Sequence, residues 1–253
     1  MHMIKKFSLR RGLGELGPGL VTGAADDDPS GIATYSQAGA QFGYSMLWTM
    51  IFTLPLMVAI QMVSARIGYV TRQGLAANIK ISFPRWVLLT VVSMLLIANT
   101  LNVAADIAAM AEALRLLVGG SSHLYAVAFG IICLLLQVLL PYRTYVRWLK
   151  WLTLALLSYV AVVFTLHLDW GMVVGKVIHP GISINHDMLL MIVAVFGTTI
   201  SPYLFFWQAA QEMEDTAGLP TPTSQEVRRK LQHIKLDTII GMSFSNLLSL
   251  IHI

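Results

Sequence analysis

Cysteine is nearly absent from this chain: Cys133 stands alone among 253 residues, which excludes an intramolecular disulfide and a cysteine-rich metal site. It lies in the apolar run Ile131-Ile132-Cys133-Leu134-Leu135 and is expected to be a small buried hydrophobe. Charge is scarce as well. Only 12% of residues are Asp, Glu, Lys or Arg while 56% are hydrophobic, and the mean hydropathy of +0.69 lies outside the soluble globular range. No nucleophile elbow, phosphate loop or zinc motif occurs. His167, His179, His186, His233 and His252 show no metal-ligand spacing. No catalytic residue and no bound cofactor are therefore expected, and the chain is not read as an enzyme.

What the chain has is long apolar runs. A spanning helix needs about 20 mostly apolar residues, and such segments fall at 17–43, 45–65, 87–117, 124–140, 149–168 and 188–211, with a seventh starting near 236. Trp48, Trp86, Trp148, Trp151 and Trp170 sit near their ends, as interfacial anchors do. The stretch 212–235, with Pro220, Pro222 and several charges, reads as a loop.

The pI of about 9.3 reflects topology. Lys5, Lys6, Arg10 and Arg11 precede the first segment; Arg66, Arg72, Lys80 and Arg85 lie between the second and third. Arg143, Arg147 and Lys150 lie between the fourth and fifth, and Arg228, Arg229, Lys230 and Lys235 between the sixth and seventh. Fifteen of the 17 basic residues thus fall on one side. The positive-inside rule makes that side, and the N-terminus, cytoplasmic. The expectation is a multi-pass protein of the cell membrane whose partner is the lipid bilayer and not nucleic acid.

Three constellations carry chemistry. In Asp26-Asp27-Asp28-Pro29-Ser30-Gly31, three acids and a helix breaker interrupt an apolar segment. A charge at the bilayer centre costs at least about 2.5–3.5 kcal/mol and is read as functional by default. Proline removes a backbone donor, and irregular backbone at membrane depth survives only against protein or a watery cavity. Carboxylates and freed carbonyls beside a broken helix are the ingredients of a cation site. Asp28 is the expected anionic ligand, with Asp26 and Asp27 attracting cations or holding their hydration shell. The second constellation, Gly197-Thr198-Thr199-Ile200-Ser201-Pro202-Tyr203, breaks the sixth segment and would free the Thr198 carbonyl and the Ser201 hydroxyl. Paired interrupted segments in two halves point to a transporter site. In the third, Asn99, Asn102 and Asp106 share a helix face at i, i+3, i+7 and can line an aqueous path, while Glu112 and Arg115 form an i, i+3 ion pair.

These residues resemble a family. Gly17-Pro18-Gly19-Leu20, Asp28-Pro29-Ser30-Gly31 and Gln37-Ala38-Gly39-Ala40-Gln41-Phe42-Gly43-Tyr44 look like the first helix of the NRAMP divalent-metal transporters. Ala104-Ala105-Asp106-Ile107-Ala108 resembles the third helix and the 197–202 run the broken sixth. The resemblance implies an all-α, LeuT-like inverted-repeat membrane fold of about ten spans. Residues 1–16 would be a cytoplasmic segment, 17–168 the first five-helix repeat, 169–186 an extracellular loop and 187–253 the start of the second repeat. Since the sequence stops within a seventh apolar run, a fragment or truncated product is expected.

The family's metal site uses an Asp and an Asn from helix one and a Met from helix six. Here Gly31 stands at the Asn position and Ser201 at the Met position. Loss of a soft thioether favours hard cations, and Mg²⁺, which keeps several waters, needs room. The third-helix Glu is replaced by Ala109 and the expected sixth-helix His by Gln208, which puts proton coupling in doubt. Together these departures resemble the NRAMP-related magnesium transporter branch. The resemblance implies metal ligation by Asp28, Gly31, Thr198 and Ser201, with Asp26, Asp27, Ser30, Asn99, Asp106 and Gln208 along the pathway or outer shell. Import of partly hydrated Mg²⁺ without proton coupling is the leading expectation. The alternatives are a Mn²⁺ or Fe²⁺ importer of the same family and a non-transporting fragment. An intramembrane hydrolase pairing Asp28 with Asp106 lacks any second recognisable motif.

Overall fold

The computed structural model describes residues 18–140, 153–166, 168–181, 185–216, 218 and 223–253. The expected segment 1–16, Gly17, Arg143, Arg147, Trp148, Lys150, Trp151, His167, Pro220 and Pro222 lie outside the described residues. Within them, every regular element is a helix. The first two, α1 (Pro18–Asp26) and α2 (Pro29–Phe42), lead through a 3-10 turn at Gly43–Met46 into α3 (Trp48–Thr71) and a short α4 (Leu75–Ser82). There follow α5 (Arg85–Val118), α6 (Ser122–Leu139), a 3-10 turn at Thr153–Leu156, α7 (Leu157–Val163) and α8 (Trp170–Ile178). The chain closes with α9 (His186–Thr199), α10 (Pro202–Asp215) and α11 (Ser224–His252). Among the described residues five stretches are long and apolar enough to cross a membrane: α3, α5, α6, the α9–α10 pair and α11.

The expected third and fourth segments agree with α5 and α6 to within two residues at each end. Charged and loop-like stretches fared worse. Helix α11 begins at Ser224, some three turns before the expected start of the seventh segment. A capping box explains this: the Thr223 hydroxyl accepts from the Glu226 amide at 3.4 Å, and Glu226 accepts from the Thr223 amide at 2.7 Å. Two orphan donors are satisfied at once, and a charged stretch becomes helical. Similarly, α8 lies within the expected loop 169–186, started by the Asp169 carboxylate, which accepts from the Met172 amide at 3.1 Å. Cys133 is exposed, not buried, because the apolar stretches of α5 and α6 stay uncovered. Outward apolar faces of this kind belong in hydrocarbon. Trp48, Trp86 and Trp170 each fall within the first two residues of a helix.

Packing is set by α11 against α1 and α3, by α10 against α3, and by α9 against α2. The main apolar cluster joins Tyr35 and Ala38 of α2, Met46, Met50 of α3, and Met188, Met191 and Val195 of α9. Glycine permits the closest approaches. A Cβ placed on Gly23 of α1 would lie 2.2 Å from the Gly241 carbonyl oxygen of α11, so the two backbones touch there.

Candidate cation site

Both broken segments come apart at their Pro-containing runs. The first unwinds at Asp27–Asp28, and Asp28 takes extended angles (φ −77°, ψ 167°) as the N-cap of α2, with Pro29 in the first turn. Proline suits that position because its missing N–H would be an orphan there anyway. The second break falls at Ile200–Ser201, with Ser201 as N-cap and Pro202 opening α10. The two caps act oppositely. Asp28 turns forward and accepts from the Gly31 amide at 2.8 Å. The Ser201 hydroxyl turns back and donates to the Thr198 carbonyl at 2.5 Å, closing the end of α9.

Asp28 is the hub. Its Oδ1 accepts from the Ser30 hydroxyl at 2.7 Å as well as from Gly31, and its Oδ2 accepts from Asn102 Nδ2 at 2.8 Å and from the Tyr203 hydroxyl at 2.9 Å. A carboxylate offers about four acceptor positions, and α2, α5 and α10 place a donor group at each, the single Ser30 hydrogen being shared with Asn102 Oδ1. Asn102 also donates to Asp106 Oδ2 at 3.2 Å, and its Oδ1 lies 2.6 Å from the Ser30 hydroxyl. The breaks are joined a second time: Thr199 Oγ1 lies 2.8 Å from the Tyr35 hydroxyl. Because Thr199 donates to the Val195 carbonyl at 2.7 Å, Tyr35 is the donor of that pair.

Of the residues singled out in the sequence, Asp28, Gly31, Ser30 and Asp106 belong to this network or border it. Thr198 and Ser201 meet each other at the second break. Asn99 is exposed on α5, and no hydrogen bond ties it to the cluster. Gln208 is buried elsewhere, its Nε2 donating to Thr238 Oγ1 of α11 at 3.1 Å. Asp26 and Asp27 find their partners on α11: Ser245 donates to Asp26 at 2.6 Å, and the Ser249 hydroxyl lies 3.3 Å from Asp27, its one hydrogen shared with the Ser245 carbonyl at 3.1 Å. The room expected from the missing asparagine is not present at Gly31, where an added Cβ would lie 3.2 Å from the Asp26 carbonyl oxygen and 3.5 Å from Asp28 Oδ1. Two members of the hub, Asn102 and Tyr203, were not among the expected ligands: Asn102 was read only as part of the polar face it shares with Asp106, and Tyr203 only as the end of the second broken run. Those two placements were the available signal.

Among the described residues no three His, Cys, Asp or Glu side chains converge as a metal-binding group. The network offers one carboxylate surrounded by neutral oxygens. A cation taking Asp28 Oδ2 has to displace the Tyr203 hydroxyl or the Asn102 amide, and either group can then turn an oxygen to the ion. Beyond the hub, a cavity of about 660 Å³ opens between α2 and α9, lined by Thr34, Gln37 and Gln41 on one side and Asn185, Asp187 and Met191 on the other. Ser30, Thr34, Gln37 and Gln41 fall at i, i+4, i+7, i+11, one polar face of α2 running from the hub to that cavity.

Two facing helix breaks around a single carboxylate, inside a bundle of membrane-length helices, define a membrane protein of transporter architecture. Comparison with known proteins agrees. The family profile described as natural resistance-associated macrophage protein-like (Nramp) matches residues 19–253, and the chain belongs to that family. A divalent metal cation transporter MntH of Agrobacterium fabrum is 27% identical over 254 residues, covering 96% of this chain and 53% of the relative. The MntH of Yersinia enterocolitica is 28% identical over 255 residues, covering 97% of this chain and 59% of the relative. The chain thus spans little more than half the length of these curated relatives. A mutant of the Eremococcus coleocola manganese transporter superposes with a TM-score of 0.79 at 20% identity, covering all of this chain and 53% of that one. The fold is the corresponding part of the LeuT-like architecture.

Proposed function

We propose that the protein carries a divalent metal cation across the cell membrane by alternating access, with the ion bound at Asp28 between the two helix breaks. The observation that supports this best is the convergence of α2, α5 and α10 on that one carboxylate. In this reading Asp28 supplies the charge and Ser30, Asn102 and Tyr203 supply neutral oxygens. Asn102 provides from α5 the amide oxygen that the family resemblance places at Gly31. The Gly31 and Thr198 backbones and Ser201 hold the two breaks in register. The polar face of α2 and the adjoining cavity form the route to the site, with the N-terminus cytoplasmic.

Mn²⁺ is the preferred substrate. The similar solved structures are of a manganese transporter, the relatives bear the name of divalent metal cation transporters, and carboxylate, carbonyl and water ligands suit Mn²⁺ as well as Mg²⁺. The tight surroundings of Gly31 remove the argument from spare room for a hydrated ion. Mg²⁺ stays as the second reading because every side-chain donor in the hub is oxygen or amide, with no thioether or imidazole. Gln208, which cannot titrate, accompanies an expectation of proton-independent transport in either case.

Liposome uptake by the full-length protein, with Mn²⁺ and Mg²⁺ offered separately and internal pH followed by a dye, tests the proposal. Asp28→Ala is expected to abolish uptake of both ions. Unaltered flux in that variant refutes the site; a strong preference for Mg²⁺ reverses the order of the two readings.

A further inference from the structure

Asp26 and Asp27 are both buried, at 1% and 5% exposure, yet their partners lie on a different helix from those of Asp28. Ser245 Oγ meets Asp26 Oδ2 at 2.6 Å and Ser249 Oγ meets Asp27 Oδ1 at 3.3 Å. The other oxygen of each carboxylate, Asp26 Oδ1 and Asp27 Oδ2, is buried with no hydrogen-bond partner. Among the described residues the ion pairs seen, Arg115–Glu112 and Lys230–Glu212, lie elsewhere, and no basic side chain there is paired with Asp26 or Asp27. An uncompensated buried carboxylate costs several kcal/mol. Two of them side by side stay ionised only with something positive beside them.

The scaffold around the pair is closely packed and in register. The touching backbones of Gly23 and Gly241 sit one turn before Asp26 and Asp27 on α1 and one turn before Ser245 on α11. Ser245 and Ser249, four residues apart, share a face of α11. Each serine keeps acceptor lone pairs beside the hydrogen it donates, so rotation turns both hydroxyls into ligands. The geometry points to a second cation site, formed by Asp26, Asp27, Ser245 and Ser249 between α1 and α11, that takes a hard divalent cation. Two carboxylates balance a charge of +2, and four hard oxygens with added water match the preferences of Mg²⁺ and Mn²⁺. This site goes beyond the Asp28 proposal and does not depend on it. An ion there fastens α1 to α11 directly beside the first break.

Mn²⁺ serves as the probe, with stoichiometry read by calorimetry and electron paramagnetic resonance on the purified full-length protein. Wild type is expected to bind two Mn²⁺. Asp28→Asn should keep the ion at the α1–α11 site, and the Asp26→Asn/Asp27→Asn pair should keep only the one at Asp28. Mn²⁺ should raise the melting temperature of Asp28→Asn protein and lose most of that effect in the double variant. Ser249→Ala, a milder change, should weaken the second site at least tenfold while leaving the Asp28 site unchanged, which covers the case of a double variant that does not fold. A single Mn²⁺ in wild type, or a stoichiometry unmoved by the double variant and an affinity unmoved by Ser249→Ala, overturns the inference. Loss of nothing in Asp28→Asn would instead count against the Asp28 reading alone.

Discussion

Replacing Gly68 by alanine tests whether backbone contact between α3 and α10 holds the second break in place. A Cβ at Gly68 would lie 2.2 Å from the Ala209 carbonyl oxygen and 2.8 Å from its Cα, whereas real Cβ atoms essentially never come closer than 3.0 Å. The helices must therefore part by about 0.8 Å, the shortfall in that first contact, and the opposing atoms are backbone that no rotamer change can move. Overpacking costs about 1–3 kcal/mol, and with immovable backbone on the far side the upper part of that range, about 2–3 kcal/mol, applies, against a gain in helix propensity of about 1 kcal/mol for Gly→Ala. The net loss is about 1–2 kcal/mol, which at roughly 2–4 °C per kcal/mol for a chain of this size lowers the melting temperature by about 2–8 °C. Gly197→Ala is the counterpart. Nothing lies within 4 Å of a Cβ there, so only the propensity gain remains and melting should rise by about 2–4 °C. Thermal unfolding of both purified variants, followed by tryptophan fluorescence, gives the comparison. Gly68→Ala protein melting at or above wild type, or shifts of the same sign in both, would refute the packing argument. The same displacement would stretch the 2.9 Å bond from Tyr203 to Asp28, so cation affinity should move in Gly68→Ala and stay put in Gly197→Ala.

Asn102→Leu removes the amide that bridges Asp28 and Asp106; hydrogen bonds to charged groups contribute about 1.5–3 kcal/mol, so Mn²⁺ affinity at Asp28 should fall roughly 10- to 100-fold, and an unchanged dissociation constant by calorimetry would remove Asn102 from the ligand set. Asn185→Ala removes the N-cap of α9, whose side chain accepts from the Met188 amide at 2.8 Å. A loss of about 1 kcal/mol is expected, seen as a melting shift of about 2–4 °C; no shift would mean that water caps the helix equally well.

The apolar segments, both helix breaks and the resemblance to the family were legible in the sequence because each rests on local chemistry. Segment length follows from hydropathy, and the breaks follow from what Pro29 and Pro202 do to the residues beside them. The start of α11 was misjudged where a capping box made a charged run helical. Which way each acid faces was beyond local reasoning. Asp26, Asp27 and Asp28 are consecutive, but unwinding at the break lets Asp28 reach Asn102 and Tyr203, 74 and 175 residues away along the chain. Its two neighbours meet Ser245 and Ser249, more than 200 residues away. That the Gln208 amide meets Thr238 of α11 was likewise beyond local reasoning. The sequence by itself determined that the chain crosses membranes and where its helices come apart, since backbone hydrogen bonding in an apolar medium leaves no other choice. Only the tertiary structure decided that three adjacent carboxylates serve two separate sets of partners, because close helix contacts such as Gly23 against Gly241 set the register between distant segments.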